Sequence, residues 1–451
     1  MEKIKLFCVS LGCDKNLVDT EKMLGVAGGL GVSFTDDETE ADAILINTCC
    51  FIGDAKEESV NTILEMAQYK EQNLKALVVA GCLAERYKDE ILKEIPEIDA
   101  VLGTTSYDSI VEAVNSALEE NTGEHFEHYE SIDYLPDNSE VERVVTTGNH
   151  MAYLKIAEGC DKRCSYCIIP KIRGRFRSVP MQELLNEAKR LASEGVKELV
   201  LVAQETTLYG KDLTGKKQLP LLLHELCKIE GIEWIRLLYC YPEEITDELI
   251  KVIKTEEKVC NYIDMPIQHS ENRILQRMGR RTSREDLVAV IKKLRKEIPD
   301  ITIRTTLITG FPGESQEDHE GLMNFVEECQ FDRLGVFTYS PEEDTLAATF
   351  EDQIDEEVKE ERRDELMSLQ QEISYEHTQQ LVGKTIKVMV EGYLFEDDIY
   401  VGRSYMDAPK VDGCVFINSP EELMTGDFVY VKITQGREYD VIGEVDYEFT
   451  K

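Results

Sequence analysis

The segment Gly-Cys-Asp-Lys-Arg-Cys-Ser-Tyr-Cys holds three cysteines, Cys160, Cys164 and Cys167, in a C-x3-C-x2-C spacing. It follows an apolar run that is typical of a β-strand. Three thiolates can bind three irons of a 4Fe-4S cluster and leave the fourth iron open to a substrate. The alternative is a structural zinc site, but such sites normally take four ligands, and no fourth Cys or His lies nearby. The spacing therefore favours an iron-sulfur cluster.

Three further cysteines, Cys13, Cys49 and Cys82, are widely spaced but share one position, just past the end of a predicted strand. Ligands of an open parallel sheet gather outside the carboxyl ends of its strands, so these cysteines could meet at one site. One interpretation is a second cluster with an open iron. The other is that they are small buried hydrophobic residues, as free cysteines often are. We expect Cys50 to point away from Cys49 and to bind no metal.

The composition indicates where such sites would operate. The chain has 13 cysteines in 451 residues, and its first residues lack the apolar core and cleavage site of a signal peptide. Cysteines in that context indicate metal or redox chemistry and not a disulfide framework. No apolar run is long enough to span a membrane, so we expect a cytoplasmic protein without a membrane partner.

The charge is strongly negative, with 50 Lys and Arg residues against 89 Asp and Glu residues and a net charge of -39. Such a surface repels a phosphate backbone and attracts a basic protein. The simpler interpretation is that the acidity keeps the protein in solution.

Three structural parts must position these residues. In residues 1–120, four apolar runs (IKLFCVS, AILINT, KALVVAG and AVLG) alternate with helical segments, which predicts a parallel α/β domain. Residues 121–150 are polar and contain Pro136, as expected of a linker.

The βα alternation resumes in residues 151–378, which predicts an open (β/α)6 barrel with a trailing charged helix over about 355–380. The six predicted strands begin near Ala152, Glu198, Ile235, Asn261, Ile301 and Arg333. Residues 379–451 contain short alternating runs with Gly and Asp turns, which predict a small five-stranded β-barrel.

Several motifs together resemble the methylthiotransferase family of radical SAM enzymes, and they cover essentially the whole chain. These motifs are SLGCDKNLVDTE, INTCCFI, AGCLAERY, EGCDKRCSYCIIPKIRG and DAPKVDG. The resemblance implies an N-terminal methylthiotransferase domain, a radical SAM domain and a C-terminal TRAM domain. It also implies that Cys13, Cys49 and Cys82 bind an auxiliary 4Fe-4S cluster. Cys160, Cys164 and Cys167 would bind the cluster that coordinates S-adenosylmethionine (SAM).

Within that family, SLGC-x-KN-x-VD and DAP-x-x-DG resemble the RimO type, which modifies an aspartate of small-subunit ribosomal protein twelve. MiaB-type enzymes, which thiomethylate adenosine in tRNA, usually carry Gln-Met where this chain has Asp14 and Lys15. Residues 379–451 hold 7 Lys and Arg against 14 Asp and Glu, which is unsuited to gripping RNA. The chain departs from the family pattern at Asp14, where proline is common, and at Val179, where arginine is usual.

The RimO-type resemblance implies transfer of a methylthio group to the β-carbon of that aspartate, with two 4Fe-4S clusters and SAM as cofactors. The implied partners are the ribosomal protein or the ribosome and an electron donor such as flavodoxin or ferredoxin, and the charge argues against tRNA. The MiaB type is the alternative within the family. An alternative of another class is an RNA- or ribosome-binding module with degenerate clusters.

Three residues are candidates for SAM contacts, and no catalytic residue is assigned beyond the cluster ligands. Gln204 and Glu205 end the second barrel strand, where they could meet the SAM amino group or form an ordinary surface pair. Arg304 lies in the fifth strand and could pair with the SAM carboxylate, because a planar guanidinium suits bidentate recognition.

Overall fold

The computed structural model describes residues 4–29, 31–118, 125–136 and 142–449. The predicted linker over 121–150 therefore lies partly outside the described residues. No helix in these ranges is long and apolar enough to cross a membrane.

The N-terminal part is a parallel sheet of six strands in the order β2-β1-β3-β4-β5-β6. The strands are β1 (Lys5–Ser10), β2 (Ser33–Phe34), β3 (Ala43–Thr48), β4 (Ala76–Gly81), β5 (Ala100–Leu102) and β6 (Phe126–His128). β3 and β4 are buried along their whole length, because both faces of the sheet are covered. The predicted parallel α/β domain is confirmed. The short edge strands β2 and β6 were not predicted, because two or three residues carry no periodic signal.

In the described residues of this part, five α-helices cover the sheet. They are α1 (Asp14–Gly29), α2 (Gly53–Ala67), α3 (Cys82–Arg86), α4 (Ile91–Glu94) and α5 (Ile110–Leu118). α1 and α5 pack on the face that carries Leu45, whereas α2, α3 and α4 pack on the face that carries Ile44 and Ile46. The alternation of strand side chains between two faces thus produces a three-layer domain.

The middle part contains six parallel strands and a small antiparallel pair. The strands in chain order are β7 (Met151–Lys155), β8 (Ala157–Glu158), β9 (Arg177–Ser178), β10 (Glu198–Val202), β11 (Trp234–Leu237), β12 (Tyr262–Asp264), β13 (Thr302–Thr309) and β14 (Arg333–Thr338). β8 pairs with β9, while β7, β10 and β11 form one sheet and β12, β13 and β14 another. A parallel bridge between Ile235 and Val259 joins the two sheets. The predicted open six-stranded barrel is confirmed.

Helices cover the outer face of this barrel. They are α6 (Ile169–Ile172), α7 (Met181–Ser193), α8 (Lys211–Thr214), α9 (Leu219–Cys227), α10 (Asp247–Thr255), α11 (Asn272–Arg277), α12 (Arg284–Glu297), α13 (Gln316–Cys329) and α14 (Glu356–Gln379). Outward-facing strand residues such as Leu199 and Leu201 pack against them in the largest apolar cluster.

The last part is a closed barrel with the strand order β15-β16-β17-β19-β18, as predicted. Its strands are β15 (Thr385–Leu394), β16 (Ile399–Ser404), β17 (Val415–Asn418), β18 (Phe428–Gly436) and β19 (Val441–Val445). The small barrel closes on its own core, which includes Val388, Val431 and Val441.

All three parts meet on the inner face of the open barrel. Val18 of α1 and Ala408 of the small barrel join Val200 and other inward-facing residues in one apolar cluster. Beside it, the buried Glu198 carboxylate accepts hydrogen bonds from Arg236 at 2.8 Å and from Arg403 at 2.6 Å. Glu198 begins its strand, so the small barrel docks near the strand beginnings and leaves the carboxyl ends of the strands for another use.

Candidate active site

The loop after β8 carries the closely spaced cysteines. Cys160 and Cys164 are buried and Cys167 is partly buried. The backbone N–H of Cys167 donates to the carbonyl of Cys164 at 3.1 Å, which closes a turn between these two cysteines. Gly279, just after α11, packs against this loop from outside. Its φ is 74°, and a Cβ added to it would lie 2.9 Å from the carbonyl oxygen of Arg163. The loop is therefore shaped both by its own turn and by a distant segment.

Burial favours the neutral form of two thiols in this loop. It raises the pKa of Cys160 to about 12, and it raises that of Cys167 as well. A thiol must lose its proton to bind a metal, so metal binding here would release the protons of Cys160 and Cys167.

Gln204 and Glu205 come just after β10, at the strand end predicted for them, and Lys162 of the cysteine loop lies near Glu205. Gln204 Nε2 donates to Glu158 Oε1 at 2.7 Å, and Glu205 accepts from the Thr207 N–H at 2.9 Å. Among the described residues, Gln204 Oε1 and Glu205 Oε2 are buried without a hydrogen-bond partner. Burial also raises the pKa of Glu205 to about 7. The Lys162 ammonium lies 3.9 Å from Glu205 Oε2, beyond hydrogen-bond distance, so both oxygens can still accept hydrogen bonds from a ligand with an amino group.

Arg280 also belongs to this site, although its sequence context does not distinguish it from the neighbouring Arg281. It is 8% exposed, and its Nη2 donates to the Pro266 carbonyl at 2.8 Å. Its guanidinium lies 4.4 Å from the centre of the Tyr241 ring. Within the described ranges its Nε and Nη1 have no hydrogen-bond partner, so two donors of a buried cation are free for an anionic group.

Arg304 is placed differently. It lies near the beginning of β13, where Nη1 donates to Asp264 at 2.9 Å and Nε donates to Asp412 of the small barrel at 3.2 Å. The structure thus engages this guanidinium with two carboxylates of the protein itself. Among the described residues, no hydrogen bond or ion pair joins Arg304 to the cysteine loop, whereas Arg280 follows Gly279, which packs against that loop.

The second set of cysteines lies at the carboxyl edge of the N-terminal sheet. Cys13 immediately precedes α1 and is exposed, whereas Cys49 follows β3 and Cys82 begins α3, and both of these are buried. Gly12 has φ 84°, and a Cβ there would lie 2.6 Å from the Cβ of Cys49. The loops of Cys13 and Cys49 are therefore in direct contact, as their shared position at the strand ends predicts.

Side chains between the cysteines hold these loops together. Asn16 Nδ2 donates to the carbonyl of Leu11 at 2.7 Å and to that of Thr48 at 3.1 Å. The Thr48 hydroxyl donates to the Ala80 carbonyl at 2.6 Å and accepts from the Leu83 N–H at 3.2 Å. One chain of hydrogen bonds thus connects the loops that carry Cys13, Cys49 and Cys82.

The arrangement does not form a site for a single ion: in the described part of the chain, no three His, Cys, Asp or Glu side chains converge on one metal position. A cluster imposes a looser requirement, because each thiolate binds a different iron. Cys50 is fully buried in the apolar core below the sheet, which is the position expected of a packing residue.

Buried ion pairs join the two cysteine sets. Lys155 Nζ donates to Glu158 at 2.6 Å and also to Asp19 of α1. Arg173, just after α6, donates to Asp19 at 2.7 Å. Two cations face two anions, so the buried charges are compensated and anchor the N-terminal sheet on the barrel.

Comparison with known families agrees with the three parts. Residues 5–103 match the profile described as uncharacterized protein family UPF0004, residues 154–326 match the radical SAM superfamily, and residues 382–445 match the TRAM domain.

Full-length relatives are more specific. The chain is 60% identical over 98% of its length to the ribosomal protein uS12 methylthiotransferase RimO of Lachnoclostridium phytofermentans, all of which is covered. It is 51% identical to the protein of the same name from Clostridium perfringens, with both chains fully covered. This chain belongs to the RimO family. Members of the radical SAM superfamily use a 4Fe-4S cluster and SAM, and this RimO-family chain has a cysteine loop that suits both.

Solved structures support the fold alone. The radical SAM methyltransferase TsrM from Kitasatospora setae, with cobalamin and a [4Fe-4S] cluster bound, matches 85% of this chain and 79% of its own. The TM-score is 0.56 at 13% sequence identity. The cobalamin-dependent radical enzyme OxsB matches with a TM-score of 0.51 over 77% of this chain and 55% of its own, also at 13% identity.

Proposed function

We propose that this protein attaches a methylthio group to the β-carbon of an aspartate in ribosomal protein uS12. The observation that carries the proposal is the placement of two cysteine sets at the carboxyl ends of two parallel sheets, joined by the ion pairs around Asp19 and Glu158. Relatives that are named for this activity and match the whole chain support the choice of substrate.

The barrel site would bind SAM and the cluster that activates it. Cys160, Cys164 and Cys167 would hold the cluster, which when bound supplies the electron that cleaves SAM. The free oxygens of Gln204 and Glu205 would accept hydrogen bonds from the SAM amino group.

Two arginines are candidates for the SAM carboxylate. Arg280 has two free buried donors, whereas Arg304 already donates to Asp264 through Nη1 and to Asp412 through Nε. We therefore propose Arg280 as the main contact and keep Arg304 as the second candidate.

The N-terminal site would hold the auxiliary cluster through Cys13, Cys49 and Cys82. The exposed position of Cys13 leaves this site accessible from solvent, whereas the buried Cys49 and Cys82 anchor it to the sheet. With three thiolates as its protein ligands, one iron would stay open for the sulfur that is transferred.

The charge of the chain supports a basic protein as substrate. A net charge of -39 attracts a basic ribosomal protein and opposes approach of tRNA, on which the MiaB-type alternative depends. The alternative of a binding module with degenerate clusters would not need two complete cysteine sets.

We also propose four regions with the boundaries 1–120, 121–150, 151–378 and 379–451. They are the methylthiotransferase domain, the linker, the radical SAM barrel with its trailing helix, and the TRAM barrel. The matched family ranges fall inside these limits, and β6 (Phe126–His128) extends the sheet of the first region into the linker. An electron donor such as flavodoxin or ferredoxin would reduce the barrel cluster.

The test is mass spectrometry after reaction of anaerobically reconstituted enzyme with SAM and a reductant. Ribosomal protein uS12 and total tRNA from cells that lack the gene serve as parallel substrates. We expect uS12 to gain the mass of one methylthio group at a single aspartate and tRNA to stay unchanged. Modified adenosine with unmodified uS12 would overturn the proposal in favour of the MiaB type, and no product on either would support the binding module.

A further inference from the structure

Arg173 reaches from the barrel to a thiol of the N-terminal site. Its Nη2 lies 3.3 Å from Cys82 Sγ and donates to Asn16 Oδ1 at 2.7 Å. Its Nη1 donates to Asp19 at 2.7 Å and to Glu158 at 3.3 Å. The side chain is 2% exposed, so these contacts form away from water.

The partners of Arg173 fix the direction of its guanidinium. Asp19 and Glu158 hold Nη1, while Asn16, which also binds the backbone of the two other cysteine loops, holds Nη2. With both ends held, the guanidinium cannot turn away from Cys82 without breaking several buried hydrogen bonds. The contact with the sulfur is therefore built into the interface between the two parts.

A purely structural ion pair would not need this contact. Lys155 already neutralises Asp19 and Glu158 in part, and Arg173 completes the balance of charge through Nη1. The Nη2 contact places a permanent cation and an N–H donor on a proposed cluster ligand. Hydrogen bonds to ligand sulfurs and nearby charge are among the factors that set the potential of an iron-sulfur cluster.

We infer that Arg173 is a positioning residue that hydrogen-bonds the Cys82 sulfur and raises the reduction potential of the auxiliary site. The inference rests on the proposed auxiliary cluster. Reduction adds negative charge to a cluster, and a cation with a donor N–H at the ligand sulfur stabilises that charge. Removing the contact makes the cluster harder to reduce, whereas removing an anion that offsets Arg173 makes it easier.

The experiment measures the midpoint potential of the auxiliary cluster by a redox titration followed by electron paramagnetic resonance. The parent is the full chain with Cys160, Cys164 and Cys167 all changed to Ala, so that only the N-terminal site can bind iron. Arg173→Lys and Asp19→Asn are introduced into this parent. Arg177→Lys is the matched control, because Arg177 lies four residues away and bonds the backbone carbonyls of Arg173 and Arg175.

We expect Arg173→Lys to shift the midpoint potential to a more negative value by about 59 mV. For one electron, this corresponds to about a tenfold lower ratio of reduced to oxidised cluster at a given potential. Asp19→Asn should shift it to a more positive value, and Arg177→Lys should leave it unchanged. Opposite signs are the decisive result, because a loss of packing alone would not produce them.

The possible failures are distinguishable. A parent that binds no iron refutes the auxiliary cluster of the proposed function. A parent that binds about four irons, with the same midpoint in both variants, refutes only the role of Arg173. If Arg173→Lys folds poorly, as judged by circular dichroism, Asp19→Asn decides alone, and an unchanged or more negative midpoint overturns the inference.

Discussion

The two cysteine sets offer the same candidate ligand atoms, three thiol sulfurs each, but are assembled in different ways. In the barrel, all three cysteines lie in one loop, and a turn between Cys164 and Cys167 contributes to its shape. In the N-terminal part, three loops from β1, β3 and β4 each provide one cysteine, and Asn16 connects two of those loops by its hydrogen bonds. A loop keeps its ligand spacing through local geometry. The distributed set depends on strand register, since a slip of one residue turns a side chain to the other face.

This comparison predicts that a substitution in one cysteine set leaves the other set intact. The largest loss of activity is expected from a substitution in the barrel set. Cys164→Ala leaves two thiolates in the loop, which cannot hold a cluster with one open iron. We expect reductive cleavage of SAM to fall by more than about 100-fold, since loss of a ligand should cost at least as much as loss of an outer-shell partner. Chromatography of 5'-deoxyadenosine measures the rate. Cleavage at the wild-type rate would show that this loop is not the SAM site.

Cys49→Ala should separate the two steps. SAM cleavage is expected to stay within about twofold of wild type while thiomethylated uS12 disappears, and bound iron should fall from about eight to about four per chain. The neighbouring Cys50→Ala is the matched control, because Cys50 is buried in the apolar core and should leave both iron and product unchanged. Product formation by Cys49→Ala would show that Cys49 is only a packing residue.

The third prediction concerns the effect of pH at the barrel site. Burial raises the pKa of Glu205 to about 7 from an ordinary 4.5, so between these values the folded protein binds more protons than the unfolded one. The contribution of Glu205 to the free energy of unfolding is therefore most favourable below pH 4.5 and is lost as pH rises through about 7. Glutamine does not titrate, so Glu205→Gln avoids this loss. Between about pH 5 and about pH 8, its unfolding free energy should rise by about 2 to 3 kcal/mol relative to that of the wild type.

Denaturant unfolding of the cluster-free protein at both pH values measures this gain. Glu57→Gln, on the exposed side of α2, provides the control and should track the wild type. The same relative stability of Glu205→Gln at both pH values would contradict a raised pKa at the barrel site.

The smallest effect concerns substrate encounter, which involves neither cysteine set. Raising salt from about 0.05 to about 0.5 M shortens the Debye length to a few ångströms. Association of the enzyme with uS12 should slow by about tenfold, whereas SAM cleavage without substrate should change little. Stopped-flow fluorescence at several salt concentrations measures the association rate. A rate that rises with salt would argue against attraction between the acidic enzyme and a basic substrate.

Much of the fold was predictable because its signals are local. The barrel strand β10 is mostly apolar and β13 is rich in β-branched residues, both are bounded by helical segments, and the small barrel shows the alternation of short strands. The edge strands β2 and β6 were missed because their formation depends on a neighbouring strand and not on their own residues. The linker predicted over 121–150 has the same limit. A polar stretch carries no periodic pattern, so its sequence does not show which of its residues form regular structure.

The candidate site was predictable only in part. The position of Gln204 and Glu205 at a strand end followed from the βα alternation, but their free oxygens depend on which side chains surround them. Arg304 looked available in sequence because Asp412, its partner, lies more than 100 residues further along the chain. Arg280 had no distinguishing signal, because its place beside the cysteine loop depends on how the chain folds after α11.

By itself the sequence determined the two sets of cysteines, the order of the three parts and the balance of charge, since each depends on residue type and spacing along the chain. Only the tertiary structure decided that Arg173 contacts Cys82, that Arg280 keeps free donors and that Arg304 bonds to Asp264 and Asp412. The physical reason is that a buried polar group takes its partners from whichever segments pack against it. Those segments are distant in sequence, so no local pattern records the pairing.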